Sequence, residues 1–301
     1  MKYLRSLNYL NEIAKQGSIR KAADKLNLNQ SALARRLTAL EEDIGSQIFE
    51  RLPRGVRLNT AGEILINHIR KQMIEIERIK SQIADLSGKR RGHVNISCSQ
   101  YTFSENLPEQ IKKYKKEFPD VTFNVKFEDK EKTIQSLIDF STDIAIILAP
   151  SFSKEFQIIG KSNLQLNVLM DKNHPLASIS EITIFDCIKY KIICPSNDYG
   201  IRFLLDEYFF KYNLKITPEI ESDNYNFLKL SLINTDYLLF DITSNSKFIK
   251  NNKKRNLLYK NIKDKNLPNV VILIGQLQGR TLPVAAAKFI EELITDYDMG
   301  V

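Results

Sequence analysis

Apolar positions recur at helical spacing through the first third of the chain and in short β-branched runs after it. Leu4, Leu7, Leu10, Ile13 and Ala14 form one stripe and predict a helix over residues 4–15. Between Gly17 and Glu42 the pattern breaks once, at Asn27-Leu28-Asn29. Ile19, Ala22, Ala23 and Leu26 precede the break, and Leu33, Leu37 and Leu40 follow it. Ser18 and Asn29 are each placed to cap the helix that follows, which gives helices over 19–26 and from 30 to about 44. Two short helices across a three-residue polar turn fit a helix-turn-helix, and an ordinary αα-hairpin with a solvated face shares that pattern.

The next stretch adds a hairpin and a long helix. Residues 47–51 and 56–58 are β-prone and flank Pro53-Arg54-Gly55, which reads as a wing carrying Arg51, Arg54 and Arg57. Thr60-Ala61-Gly62-Glu63 reads as a capping box, with Thr60 and Glu63 satisfying each other's free amides. Leu65, Ile69, Gln72, Ile76, Ile79, Ile83 and Leu86 then alternate steps of four and three, the seam of a coiled coil. A narrow seam on so long a helix predicts a dimer interface built on Leu65, Ile69, Ile76, Ile79 and Ile83. Residues 87–92 stop the helix as a basic linker.

Beyond His93, apolar runs at 94–98, 121–127, 144–148, 157–160, 164–170, 191–194, 237–240 and 270–275 predict strands. Helical stretches at 107–117, 132–138, 202–212, 227–233 and 284–293 lie between several of them. This alternation implies largely parallel sheets covered on both faces, arranged as two α/β lobes. The charge run at 250–255 reads as a solvated loop. The expected organisation is a winged helix-turn-helix over 1–62, a dimerising helix and hinge over 63–91, and a two-lobed domain over 92–301. Lobe 1 takes about 92–163 and 267–301, and lobe 2 about 164–266.

Charge changes this picture more than composition does. The 301 residues are 43% hydrophobic and 27% charged, ordinary values for a globular chain, and no apolar run approaches the ~20 residues of a membrane span. Charges run throughout the N-terminus, unlike a signal peptide, so a cytoplasmic location without membrane contact is expected. Cys98, Cys187 and Cys194 lack CxxC spacing and read as buried, reduced thiols; no metal or cofactor is expected. The net charge of +8 is confined to one segment: residues 1–91 hold 18 basic and 10 acidic groups, and the other 210 hold 26 of each. That asymmetry fits a polyanion-binding module joined to a neutral one.

The second helix of the pair turns Gln30, Ser31, Ala34 and Arg35 away from Leu33, Leu37 and Leu40. An amide and a guanidinium near a helix N-terminus suit base edges in a major groove, and a wing arginine suits a narrow minor groove. The candidate DNA contacts are Gln30, Ser31, Arg35 and Arg36, the wing arginines Arg51, Arg54 and Arg57, and Ser18 and Arg20.

Over the whole chain the sequence is similar to the LysR-type transcriptional regulators. Gly17-Ser18, Ala22-Ala23, Leu26, Gln30, Ala32-Leu33, Arg35, Leu40-Glu41, Gly45, the stretch 52–58 and Thr60-Ala61-Gly62-Glu63 follow the family pattern in order and spacing. Weaker matches follow at Gly92-x-Val94, Phe118-Pro119-Asp120, Asp143-x-Ala145, His174-Pro175-Leu176 and Leu282-Pro283. The resemblance implies a winged helix-turn-helix, a dimerising helix and a two-lobed effector domain like a periplasmic binding protein. It also implies a homodimer or homotetramer on a partly palindromic duplex and a small-molecule effector, anionic or polar. The chain departs from the family at Ser31, where Pro is usual, and at Ala34, where Ser is usual. It departs again at Thr235-Asp236-Tyr237, in place of a Gly-x-Gly step, and at Asp241, where a strand usually ends in Pro.

A ligand in a two-lobed α/β domain lies at the carboxyl ends of strands. The resemblance places effector contacts on the loop after the first strand, at Ser99, Gln100 and Tyr101, and across the cleft at Ser196, Asn197 and Tyr199. Leu148 should line the floor, and Arg202 is placed either to balance a carboxylate or to serve as an ion-pair partner. The serines equally suit helix caps. The domain has a second reading, an oligomerisation module with no effector.

An enzyme is the competing class. His68, His93 and His174 are scattered, and HExxH, GxSxG, GxxxxGKS and GxGxxG are all absent. Cys98 lies beside Ser99, yet no histidine is placed in a motif that would activate it. A third class is a basic α/β protein that binds a partner without DNA specificity. A salt-sensitive, sequence-specific gel shift separates the regulator from both alternatives.

Overall fold

The computed structural model describes residues 2–86, 90–98, 107–149, 153–196, 200–243, 256–264, 267 and 270–296. It divides into two compact units, Met1–Gly88 and Lys89–Val301.

The first unit contains α1 (Lys2–Gln16), α2 (Ile19–Lys25), α3 (Gln30–Ile44), β1 (Phe49–Leu52), β2 (Gly55–Leu58) and α4 (Thr60–Leu86). Ser18, in extended conformation, caps α2 by accepting from the Lys21 amide. Asn27 adopts the left-handed region (φ 52°) and turns the chain, and Asn29 caps α3 by accepting from the Ser31 amide at 2.9 Å. Gly45, also left-handed, ends α3. The Glu41 carboxylate then accepts from the Ile48 and Phe49 amides at 2.7 and 3.2 Å, fixing the start of the wing to α3. Leu10, Ile13, Ala22, Ala23, Leu33, Ile48, Ile66 and Ile69 form the core, each almost fully buried.

Two expectations are corrected here. The cap of α4 is Asn59 and not Thr60: its Oδ1 accepts from the Gly62 amide at 2.8 Å while its Nδ2 donates to the Gln47 carbonyl at 2.8 Å. One side chain thus closes the helix end and holds the wing, and Thr60 is already inside the helix. Gly62 must be glycine, because a Cβ there would lie 2.2 Å from the Ile48 carbonyl oxygen. The apolar seam is also divided. Ile69 is 1% exposed and Leu65 is half-buried, both packed into the winged-helix core. The first turns of α4 close the winged helix, so its apolar positions there are already covered. Farther along, Ile76 is half-buried and Ile79 and Ile83 are 43% and 62% exposed.

The second unit begins with β3 (Gly92–Cys98), α5 (Leu107–Glu117), β4 (Val121–Phe127), α6 (Lys130–Ile138) and β5 (Ile144–Leu148). β6 (Phe156–Asp171), α7 (Ile184–Cys187), β7 (Ile192–Pro195), α8 (Gly200–Lys211), β8 (Ile220–Ser222) and α9 (Tyr225–Ser231) follow. The unit ends with β9 (Leu238–Thr243), β10 (Leu257–Asn261), β11 (Val270–Leu277) and α10 (Val284–Asp296). The strand order is β4-β3-β5-β11-β6-β9-β7-β8, with β10 also on β6. β6 joins two sheets: residues 156–164 pair with β11, and residues 165–171 pair with β9 and β10. The two strands expected at 157–160 and 164–170 are therefore one.

The sheets are mixed and not largely parallel. β3 runs parallel to β4 and β5, and β7 to β8 and β9. β11 and β6, which return the chain between lobes, run antiparallel to their neighbours. The carboxyl ends of β3 and β5 in one lobe, and of β7 in the other, carry the segments expected to hold a ligand.

Candidate DNA-reading face and effector cleft

Gln30, Ser31 and Arg35 are exposed on α3: Ser31 and Arg35 on the side away from buried Leu33 and Leu37, and Gln30 at the first position of the helix. The Ser31 hydroxyl donates to Asn29 Oδ1 at 2.8 Å. Its proton is thus held locally, which leaves its oxygen as an acceptor, matched to an amino group on cytosine or adenine. Among the described residues Arg35 makes no hydrogen bond or ion pair, so its whole guanidinium fork is available. Ala34 is half-buried beside it.

Arg36 is not on this face. It lies about 100° round the helix from Arg35, where its Nη1 donates to the Tyr9 hydroxyl at 2.6 Å and its Cζ sits 4.9 Å from the centre of the Tyr9 ring. The wing is pinned under the turn between α1 and α2: the Val56 amide donates to the Gly17 carbonyl at 2.9 Å. A Cβ on Gly55 would approach that same oxygen to 2.3 Å, so the wing needs glycine there. Arg51 and Arg54 are exposed on the wing. Arg57 faces Glu50 across the hairpin and pairs with it at 2.7 Å, which holds the guanidinium still more firmly protonated and cancels its charge. Ser18 is engaged as a helix cap, and Arg20 is exposed on the first turn of α2.

In the second unit, Ser99, Gln100, Tyr101, Asn197 and Tyr199 lie outside the described residues, as does the charge run at 250–255. Leu148, 5% exposed, belongs to the core at the end of β5. Ser196 is half-buried beyond β7, and its amide donates to the Ser222 carbonyl at 3.1 Å. Arg202 is not available to an anion. Its Nε donates to both Asp206 oxygens at 2.9 and 3.0 Å, and its Nη1 to Glu221 at 2.7 Å and to the Pro195 carbonyl at 3.2 Å. Two carboxylates on one guanidinium leave a net negative group that repels a further anion, so Arg202 braces α8 against the ends of β7 and β8.

Two buried clusters of charge among the described residues had no clear sequence signal. In lobe 1 the Arg280 guanidinium pairs with Asp143, and Asp143 also accepts from the Asn95 amide at 2.8 Å. In lobe 2 Asp241 is buried and accepts from the Ile242 amide at 2.8 Å and the Tyr259 hydroxyl at 2.7 Å. Burial pushes its carboxyl up, and the nearby Lys229 charge and hydroxyl donors oppose that rise. Lys229 is itself 4% exposed, 4.8 Å from the Tyr225 ring. Only the departure from proline at Asp241 pointed there.

The enzyme candidates are held in unreactive states. Burial pushes the thiols of Cys98, Cys187 and Cys194 up to about 12, so none supplies a thiolate at neutral pH. His174 Nδ1 accepts from the Leu176 amide at 3.1 Å, which leaves the proton on Nε2 facing the Asp236 carbonyl at 3.2 Å. That histidine is a brace. No helix among the described residues is long and apolar enough to cross a membrane.

A winged helix-turn-helix with an open basic reading face, and a two-lobed α/β domain, are the two parts of a ligand-responsive transcription regulator. Residues 4–63 match the bacterial regulatory helix-turn-helix protein model of the lysR family, and residues 87–296 match the LysR substrate binding domain. The chain belongs to the LysR family. It is 29% identical to the HTH-type transcriptional regulator YtlI of Bacillus subtilis (strain 168) over 205 residues, 68% of this chain and 66% of that protein, just under two thirds of its length. Its fold is similar to full-length CbnR complexed with its target DNA (TM-score 0.63, 13% identity, covering 98% of this chain and 99% of that one). It is also similar to the effector binding domain of QuiR in complex with shikimate (TM-score 0.55, 19% identity, 69% of this chain and 98% of that one).

Proposed function

We propose that the protein is a cytosolic, sequence-specific DNA-binding regulator and not an enzyme, acting as a homodimer or homotetramer on a partly palindromic duplex. The reading rests on one observation: exposed Ser31 and Arg35, the latter without a partner among the described residues, share the outward side of α3, with exposed Gln30 at its capped start and a wing carrying Arg51 and Arg54 beside it. CbnR in complex with its target DNA supports it by analogy of fold. The test is selection of bound sites from a random duplex pool, followed by gel shifts across a salt series. Enrichment of a two-fold-related motif, with affinity falling steeply with salt, is expected. Retention of all duplexes alike would defeat the reading.

The two-lobed domain, with the boundaries expected from sequence, is the sensor in this proposal. With Arg202 engaged by Asp206 and Glu221, its contacts rest on Ser99, Gln100, Tyr101, Leu148, Ser196, Asn197 and Tyr199. Hydroxyls and amides suit a small polar effector bound through neutral donors, and QuiR's shikimate complex supports a small-molecule ligand in this fold. A thermal-shift screen of the full chain against polar metabolites tests it, since a ligand of the folded state raises the melting temperature. A screen without a shift favours the oligomerisation module.

A further inference from the structure

We infer that Tyr9 is a positioning residue for DNA binding: it holds Arg36 on the flank of α3, where the guanidinium meets a backbone phosphate at the wall of the groove. The inference rests on the DNA-binding reading above and extends the contact surface to α1.

Arg36 is six residues beyond Gln30, about 9 Å along the helix axis, and about 100° round from Arg35. With Ser31 and Arg35 at base edges, a residue displaced this way sits at the rim of a groove roughly 12 Å wide, where the sugar-phosphate chain passes. Phosphate contacts of this kind set the register of a reading helix. A free arginine loses rotamer entropy when it makes such a contact, and Arg36 has that freedom removed beforehand. Its Nη1 donates to the Tyr9 hydroxyl at 2.6 Å and its Cζ stands 4.9 Å from the ring centre. The Tyr9 ring is packed against the winged-helix core, so the anchor is rigid. One of the five guanidinium N–H donors is committed to Tyr9, the side chain is exposed, and among the described residues no carboxylate pairs with it. Arg57, also exposed, is instead neutralised by Glu50.

A phosphate contact does not depend on sequence, so any duplex reports it. The experiment measures affinity against salt for the full-length protein on a random-sequence duplex and on a selected site, with melting temperature followed in parallel. Arg36→Ala should reduce the salt slope by about one unit on both duplexes, a loss of about fivefold in affinity at 0.15 M salt. Tyr9→Leu keeps the net charge and the apolar volume in the core, yet should reproduce much of that change in slope. Tyr9→Phe restores the stack but not the hydrogen bond and should fall between Leu and wild type. A Tyr9 that only supports the core would lower the melting temperature and leave the slope alone. Wild-type slopes in Arg36→Ala, or in both Tyr9 variants, overturn the inference. If Tyr9→Leu does not fold, Tyr9→Phe decides the matter alone. A wild-type protein without sequence preference or salt dependence overturns the DNA-binding reading instead, so the two failures are distinct.

Discussion

Replacing Ile69 with alanine separates a core residue from a seam residue. Ile69 is 1% exposed and packs with Ile66, Leu10 and Leu33 in the first unit's core. The substitution deletes three buried carbons, about 2.5 kcal/mol of transfer free energy at ~0.8 kcal/mol each. The cavity left behind brings the loss to about 3–4 kcal/mol. A unit of this size has an unfolding entropy near 0.2 kcal/mol/K, so its melting temperature should fall by about 15 °C. Scanning calorimetry of the full chain at several protein concentrations reads the effect. The drop should be the same at every concentration, because the lost contacts lie within one chain. Ile83→Ala, at a position 62% exposed, should leave the unit's own melting unchanged. An Ile69→Ala variant that melts like wild type, or whose drop disappears as concentration rises, would show that the side chain is not held by its own chain's core.

Three further outcomes are expected. Arg35→Ala should cost about 1–3 kcal/mol on the selected site and relax preference at one base position, read by competition among single-base variants of that site. Arg54→Ala should lower the salt slope by about one unit and Arg57→Ala by clearly less, because Glu50 already balances Arg57; equal effects would show that the pair opens on DNA. Burial lowers the pKa of His174, so the unfolded chain takes up this proton first as pH falls. Stability is then complete above about 6.5 and declines below it, and urea titrations between pH 7 and 5.5 should show a decline that His174→Gln flattens.

Local chemistry explains which parts of the fold were legible. Strands β4 and β5 matched expectation residue for residue and helix α3 began at the expected Gln30, because capping side chains and β-branched runs are written next to the elements they delimit. α7, β8 and β10 were missed, being three to five residues long and held by long-range pairing. The cap of α4 was misplaced by one residue because Thr60-x-x-Glu63 satisfies the pattern, and Asn59 gained its role from the nearby Gln47 carbonyl. Periodicity grouped Leu65 and Ile69 with Ile79 and Ile83, since a repeat records which side is apolar and not what covers it. Among the site residues, exposure of Ser31 and Arg35 followed from helical phase, and that of Gln30 from its place at the start of the helix. The partners of Arg36, Arg57 and Arg202 did not, because Tyr9, Glu50 and Glu221 reach them only through the fold.

The uninterrupted β6 has a mechanical consequence. Lobes joined by slack loops can swing apart without altering their sheets, but here one sixteen-residue strand is hydrogen-bonded into both. A change in the angle between lobes must therefore be taken up as twist and shear within that strand, at the change of partners between Leu164 and Gln165. Any change in that angle then loads the ladder between β6 and β11 directly, the first hydrogen bonds of lobe 1 that it meets.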